Sequence, residues 1–225
     1  SSLRRFPLDL SGRVGDVTGE DRSDRLATLV VDAQTGEILE SNNADAPRYP
    51  ASLTKMMTLY LTFEALDHGR LALDQRLPVS AFAAAQPPTK VGVPPGFSIS
   101  VENAILALVT KSANDMAVVL AEAIGGSQDS FAELMTAKAR QLGMIGTQFR
   151  NASGLPDPYQ VTTARDMATL GRALLHDYPQ YYPYFSTRYF NYGGRLHANH
   201  NHLLEVYEGM DGIKTGYTRA SGYNL

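Results

Sequence analysis

Residues 53–67 carry Leu53, Met56, Met57, Leu59, Tyr60, Leu61, Phe63, Ala65 and Leu66, with Gly69 two positions beyond. That spacing predicts a helix with apolar side chains on nearly every face, ended by the glycine. A helix that is hydrophobic all round has to be surrounded by other protein. The rest of the chain must therefore wrap around it. With 225 residues, 44% of them hydrophobic and 19% charged, the chain can do this as one sizeable core or as a domain with a subdomain.

Other elements follow from local chemistry. Residues 26–31 form a β-rich run, residues 32–36 (Asp-Ala-Gln-Thr-Gly) a turn, and residues 37–40 a returning strand, which together predict a hairpin. Ser100 caps a helix over residues 101–109 with Glu102 in its first turn. Residues 114–124 make another helix, closed by Gly125-Gly126, and residues 131–142 a third, closed by Gly143. Thr162 or Thr163 caps a helix over residues 164–176. Residues 181–192 are Tyr/Phe-rich and read as β structure, a stripe that belongs to core packing rather than to base stacking. Residues 210–218 and 222–225 read as two strands joined through Arg219-Ala220-Ser221. Residues 1–22 are polar and punctuated by glycine, and are expected to be a leader or linker.

Composition removes several classes of function. The net charge is −3 and there is no Lys/Arg run, so neither nucleic acid nor an anionic membrane surface is indicated. No stretch approaches the roughly 18 uninterrupted apolar residues of a membrane span. There are no cysteines, so no thiol nucleophile, disulfide framework or Cys-based zinc site exists. His197, His200 and His202 lie close together, but without an H-E-x-x-H pattern or a nearby carboxylate pair a solvated polar segment is the plainer reading. No cofactor is called for.

Three short motifs occur in a fixed order: Ser52-Leu53-Thr54-Lys55, Ser112-Ala113-Asn114 and Lys214-Thr215-Gly216. Ser52 stands at the start of the apolar helix with Lys55 three residues on, which puts both on one helix face. A lysine at its ordinary pKa of about 10.4 is a poor base. Buried among Met56, Met57 and Leu59, or beside a second cation such as Lys214, it can be neutral and accept the serine proton. A surface lysine on an amphipathic helix is the bland alternative, and this helix is not amphipathic. Ser112 and Asn114, at a junction between helices, can relay a proton and bind a carbonyl; alone, they read more simply as a helix cap. Lys214 and Thr215 can hold a carboxylate while Gly216 lets substrate backbone approach, although a lone Lys-Thr-Gly also suits a plain strand end. Each motif is weak by itself, and Ser41-Asn42-Asn43 repeats the S-x-N pattern in a polar stretch.

Longer phrases add to this. Residues 50–58 (Pro-Ala-Ser-Leu-Thr-Lys-Met-Met-Thr), 112–115 (Ser-Ala-Asn-Asp), 149–155 (Phe-Arg-Asn-Ala-Ser-Gly-Leu), 163–168 (Thr-Ala-Arg-Asp-Met-Ala) and 211–216 (Asp-Gly-Ile-Lys-Thr-Gly) resemble those of the low-molecular-mass D-alanyl-D-alanine carboxypeptidases. These are penicillin-binding proteins related to the serine β-lactamases. The likeness runs from about residue 24 to residue 225. It implies an α/β (α+β) fold of the β-lactamase/transpeptidase type, with an antiparallel sheet flanked by helices, a mostly helical lobe, and the active site between them, all within residues 23–225. It further implies that Ser52 attacks the D-Ala–D-Ala bond of peptidoglycan stem peptides with Lys55 as base. Ser112 and Asn114 would be the second element, Lys214 and Thr215 the carboxylate site, and the amides of Ser52 and Tyr217 the oxyanion hole. β-Lactams should acylate Ser52. The location implied is periplasmic or cell-surface, any membrane anchoring running through a segment outside this chain.

The chain departs from that family in three ways. Residues 199–204 (Asn-His-Asn-His-Leu-Leu) stand where relatives often carry a carboxylate-binding Arg, so recognition is expected to depend on His200, with a pH dependence near 6.5, or on Arg219. The chain stops just inside the strand after the Lys214 strand, where relatives continue with another strand and a C-terminal helix, so a C-terminally incomplete domain is expected. The β-sandwich domain and amphipathic tail frequent in the family are not in the sequence. The rival functions are a D,D-endopeptidase, a class A-like β-lactamase and a non-catalytic scaffold. Residues 146–159 contain no Glu to activate a deacylating water, against the β-lactamase. The motif residues are all present, against the scaffold.

Overall fold

The computed structural model describes residues 26–225, so the expected leader over residues 1–22 lies outside the described residues. The apolar helix, α1 (Thr54–Asp67), is central: of its residues only Glu64 and Asp67 escape burial. A 3₁₀ turn (Ala51–Leu53) leads into it. Around it pack α4 (Asn114–Gly125), α5 (Gln128–Gln141) and α6 (Ala164–Asp177), with α3 (Val101–Lys111) behind α4. Met57, Leu59 and Phe63 of α1 join Ile105 and Leu108 of α3 and Met116 and Leu120 of α4 in a core closed to solvent. Each such side chain contributes roughly 1.5–3 kcal/mol on burial. The threonines of α1 do not break this packing: Thr62 donates to the Thr58 carbonyl (2.8 Å) and Thr58 to the Ala152 carbonyl (2.7 Å).

Strands occur as four antiparallel ladders: β1 (Thr28–Val31) with β2 (Ile38–Asn42), β3 (Arg76–Pro78) with β4 (Ser98–Ser100), β5 (Tyr189–Tyr192) with β6 (Arg195–Ala198), and β7 (Gly216–Thr218) with β8 (Gly222–Asn224). The expected antiparallel sheet is thus divided among the described residues. A groove of about 830 Å³, floored by Leu53, Met56 and Met167, separates β1 from β8, so the first and last ladders exchange no hydrogen bonds. The β1–β2 hairpin turns where expected. The Asp32 carboxylate accepts the Gln34 and Thr35 amides (3.0 and 2.7 Å), and Arg172 and His176 of α6 reach the Ala33 carbonyl.

Several expected boundaries move. Ser127 caps α5 by accepting the Ser130 amide, so that helix starts at Gln128. Thr163, not Thr162, caps α6. Only the last four residues of the stretch 181–192 (Tyr189–Tyr192) are strand; Tyr182–Ser186 is a 3₁₀ helix, because Tyr181, Tyr184 and Phe185 fold over Phe63 (centroids 5.1, 6.4 and 6.1 Å away). Likewise only Gly216–Thr218 of the stretch 210–218 is strand. Short elements without a sequence signal complete the fold: the β3–β4 ladder, α2 (Ala81–Ala84) and α7 (Leu203–Val206). No helix among the described residues is long and apolar enough to cross a membrane.

The start of α6 fixes the loop that will border the site. Asp166, buried in the first turn, accepts hydrogen bonds from the Gly146 amide (2.9 Å) and the Thr147 hydroxyl (2.6 Å). Arg48 and Thr162 exchange backbone hydrogen bonds at 2.8 Å each way, tying the same loop to the segment before Ser52. Replacing Asp166 by Ala removes both hydrogen bonds, but the Gly146 amide is exposed to solvent and the Thr147 hydroxyl keeps the Thr162 hydroxyl as a partner at 2.9 Å, so each loss costs roughly 0.5–1.5 kcal/mol. Asp166→Ala should therefore lower the unfolding free energy by roughly 1–2 kcal/mol, read as a reduced urea midpoint with unchanged slope.

Candidate active site

A cleft of about 680 Å³ is lined by Ser52, Ser112, Asn114, Ser153, His200, Thr215, Gly216 and Tyr217, among others. The structure thus brings together residues from all three motifs. Lys55 lies beneath Ser52, wholly buried, with its Nζ 3.1 Å from Ser52 Oγ, 2.8 Å from Asn114 Oδ1 and 2.6 Å from the Ser153 carbonyl. Burial, reinforced by the charge of Lys214, holds the Lys55 pKa well below its ordinary value, against an opposing pull from Asp115.

A neutral amine has two N–H donors and one lone pair. The Ser153 carbonyl can only accept. The Asn114 amide is fixed the same way round, because its Nδ2 donates to the Pro87 and Pro88 carbonyls (3.0 and 3.3 Å), which have no proton to give. Both N–H groups of neutral Lys55 are therefore committed, and the lone pair is left facing Ser52 Oγ. Ser52 becomes the donor in that contact.

The turn that presents Ser52 is crowded from two sides. Ala51 has φ +47, in the left-handed region. A Cβ on Gly154 would sit 1.8 Å from the Ala51 carbonyl oxygen, and one on Gly216 would sit 3.0 Å from the Ser52 nitrogen. Gly154 is itself positioned by Asn151, whose Oδ1 accepts the Gly154 amide (2.8 Å), while Gln160 Oε1 accepts the amides of Arg150 and Asn151. Asp115 pins the opposite rim by accepting the Val91 and Gly92 amides (3.1 and 2.8 Å).

Ser112 terminates α3 in a left-handed conformation (φ 57, ψ 43). Its hydroxyl is buried at the cleft and has no hydrogen-bond partner among the described residues. Thr215, Gly216 and Tyr217 form the opposite wall, and Lys214 is buried behind them, donating to the Thr215 carbonyl at 2.7 Å. Burial pushes the Lys214 pKa down to about 7. Tyr217 is exposed and packs on Tyr223 (centroids 4.7 Å apart). His200 lines the cleft; partial burial, then the charges of Lys214, His202, Lys111 and Lys55, hold it below its ordinary value. A titration at 6.5 is thus too high an expectation. Arg219 is not part of the cleft and lines a separate cavity with Arg48 and Tyr49. Among the described residues no three His, Cys, Asp or Glu side chains converge as metal ligands, so the three neighbouring histidines form no such centre.

The motifs pointed to Ser52, Lys55, Ser112, Asn114 and the Lys214–Gly216 segment. They gave no role to Ser153, whose contribution is a backbone carbonyl, nor to Asn151 and Gly154, which act on backbone. A hydroxyl facing a buried amine, with a second free hydroxyl and a buried cation nearby, is an arrangement suited to serine acyl transfer. The sequence profile of the D-alanyl-D-alanine carboxypeptidases (peptidase family S11) matches residues 18–225, and the chain belongs to that family.

The D-alanyl-D-alanine carboxypeptidase DacC of Escherichia coli strain K12 is 37% identical over 209 residues, covering 90% of this chain and 52% of the relative. Penicillin-binding protein 5 of Haemophilus influenzae superposes with a TM-score of 0.86 at 34% identity, over 93% of this chain and 62% of that one. Penicillin-binding protein D2 of Listeria monocytogenes, solved in an ampicillin-bound form, superposes with a TM-score of 0.75 at 32% identity, over 88% and 80%. These structures share the penicillin-binding fold expected from the sequence. The chain spans about half the length of the curated carboxypeptidases it matches.

Proposed function

We propose that residues 23–225 form the catalytic domain of a serine D,D-carboxypeptidase that removes the terminal D-alanine from peptidoglycan stem peptides at the periplasmic or cell-surface side. The observation that carries this is the commitment of both Lys55 N–H groups to Asn114 and Ser153, which leaves its lone pair for Ser52. Lys55 takes the Ser52 proton as Oγ bonds to the carbonyl carbon of the penultimate D-alanine. The amides of Ser52 and Tyr217 receive the developing oxyanion. The C–N bond then breaks, and the departing D-alanine nitrogen gains a proton through the Ser112 hydroxyl. Water, deprotonated by the same amine, hydrolyses the ester and restores Ser52. Thr215 holds the terminal carboxylate, with the charge of Lys214 behind the wall favouring it and His200 on the same side as a neutral hydrogen-bond donor. β-Lactams enter the same path and stop at the acyl-enzyme.

Incubation with benzylpenicillin, followed by intact mass measurement and peptide mapping, tests the reading beside an assay of D-alanine release from a peptide ending in D-Ala–D-Ala. One stable adduct on Ser52 with D-alanine release is expected. Drug hydrolysis without an adduct would indicate a β-lactamase, and cleavage of cross-linked muropeptides without D-alanine release an endopeptidase. Neither adduct nor turnover would leave a scaffold.

Because Lys214 loses its charge as pH rises through about 7, carboxylate binding weakens on the alkaline side. KM for the peptide should climb above pH 7, approaching about tenfold per unit. Lys214→Arg, whose guanidinium stays charged, should flatten that limb.

A further inference from the structure

Residues 87–92 form a strap along a rim of the cleft, fastened to the second motif in both directions. Asn114 donates its amide to the Thr89 carbonyl at 2.7 Å and its Nδ2 to the Pro87 and Pro88 carbonyls. In return the Asp115 carboxylate accepts the Val91 and Gly92 amides. On the strap's side all of these bonds use main chain. Thr89 adds a side chain: its hydroxyl lies 2.8 Å from the Lys111 carbonyl oxygen and 2.9 Å from that of Ser112, and toward both it can only donate. Thr89 is exposed and lines the cleft, so core packing does not account for it.

Those two carbonyls flank the φ and ψ of Ser112. Both stand at the end of α3, where main-chain oxygens have no partner inside the helix. The Ser112 turn is left-handed (φ 57, ψ 43), a conformation that crowds any residue with a Cβ. Its other main-chain ties are long: the Ser112 amide reaches the Leu108 carbonyl at 3.2 Å and the Ala113 amide the Ala107 carbonyl at 3.3 Å. A donor shared between the Lys111 and Ser112 oxygens opposes rotation about either bond. It thereby fixes where the Cα–Cβ bond of Ser112 points. The hydroxyl at the end of that bond is buried at the cleft and has no hydrogen-bond partner of its own among the described residues to aim it.

We propose that Thr89 is a positioning residue for acyl transfer: by bridging the Lys111 and Ser112 carbonyls it holds the Ser112 hydroxyl where the departing nitrogen needs a proton. This rests on the carboxypeptidase reading, which makes Ser112 the proton relay. As the C–N bond breaks, its electron pair stays on nitrogen and takes the Ser112 proton. The Ser112 oxygen regains one from the Lys55 ammonium, which holds the proton removed from Ser52. An amide needs this step, because an amine cannot leave as its anion. A thiolate leaves without it, since the pKa of a thiol is only about 8.5. Loss of the Thr89 hydroxyl should therefore be felt by an amide and not by a thioester.

The test compares a peptide ending in D-Ala–D-Ala with its thioester analogue, in which the sulfur of D-thiolactate replaces the terminal D-alanine nitrogen and the carboxylate is kept. For both, kcat/KM reports the steps up to departure of the leaving group. Thr89→Val keeps the branched shape and removes the hydroxyl. It should lower the amide value by about tenfold to 10²-fold, within what misplacement of a reacting group costs, and leave the thioester value close to the parent's. Thr89→Ser, which keeps the donor, should restore the amide value. In a Ser112→Ala background, itself slowed on the amide, Thr89→Val should add less than about twofold, as expected of residues that act as a unit. Parallel losses on amide and thioester would reduce Thr89 to a structural role and overturn the inference. An unchanged amide value, or full additivity with Ser112→Ala, would do the same, while D-alanine release by the parent protein would leave the carboxypeptidase reading intact. Absence of D-alanine release by the parent would overturn both. Should Thr89→Val fail to fold, Thr89→Ala decides by the same amide-to-thioester ratio, an unchanged ratio counting against the proposal.

Discussion

Replacing Lys55 by methionine will slow acylation of Ser52 by a fluorescent penicillin by about 10³-fold or more, within the range that loss of a positioned general base produces. Methionine keeps the length and apolar character of the lysine stem, so the core around Met57 and Leu59 stays filled. What disappears is the atom that faces Ser52 Oγ. The same substitution strands the Asn114 and Ser153 oxygens without a donor, so a modest loss of stability is expected as well. Rates should accordingly be compared at a temperature where circular dichroism shows both proteins folded. Acylation within tenfold of the parent rate would show that another group takes the proton. Ser52→Ala sets the floor of the assay, with no adduct at all. The pH profile adds a sign: only the amine form of Lys55 acts, so the rate rises with pH through the Lys55 pKa. Removing the Lys214 charge, which helps depress that pKa, should move the acid limb to higher pH.

Gly154→Ala is expected to disable the site without touching a reacting group. The added methyl would lie 1.8 Å from the Ala51 oxygen and 2.4 Å from its carbon, both backbone atoms that cannot swing aside, at a residue with φ +87. Either the loop or the turn bearing Ser52 must shift. A misplacement of about 1 Å at a reacting group costs on the order of 10²-fold in rate. A fall of at least that size in penicillin acylation is expected, together with a lowered melting temperature. Gly143→Ala provides the control: its φ is +82, but nothing lies within 4 Å of the added methyl. It should cost about 1 kcal/mol through backbone strain alone, with acylation retained. Equal acylation by the parent and Gly154→Ala proteins would mean that the close approach to Ala51 does not constrain the nucleophile.

Much of this was legible from residue chemistry. The all-round apolar character of residues 53–67 marked the buried central helix, and the caps Ser100 and Thr162 or Thr163 marked two helix starts that the structure confirms within a residue. Ser52, Lys55, Ser112 and Asn114 converge although they are up to 62 residues apart in the chain (114 minus 52). Other features had no signature to read. The β3–β4 ladder has three residues a side, too few to show alternation. The aromatic run at residues 181–192 has β propensity, but packing against Phe63 bends its first half into a 3₁₀ turn, an instance of tertiary contacts overriding local preference. Within the site, the third partner of Lys55 is a main-chain oxygen, which any residue at position 153 would supply. The commitment of Asn114 becomes visible only when the Pro87 and Pro88 carbonyls are seen to fix its amide.

The nucleophile's turn is held from outside by two glycines, one on the loop over residues 146–160 and one on β7, and the loop is held in turn by Asn151 and Gln160 around Gly154 and by Asp166 at its start, Gly146 and Thr147. None of those three side chains meets a drug or a peptide in the reaction scheme. All of them nevertheless determine where Ser52 stands. Antibiotic tolerance in such a protein therefore has a route that leaves every reacting group intact. A substitution that lets the loop lift lowers the time-averaged population of the acylation-competent turn. On the proposed carboxypeptidase function, acylation by the drug and cleavage of the peptide would then fall in parallel, so escape by this route would not spare D-alanine release.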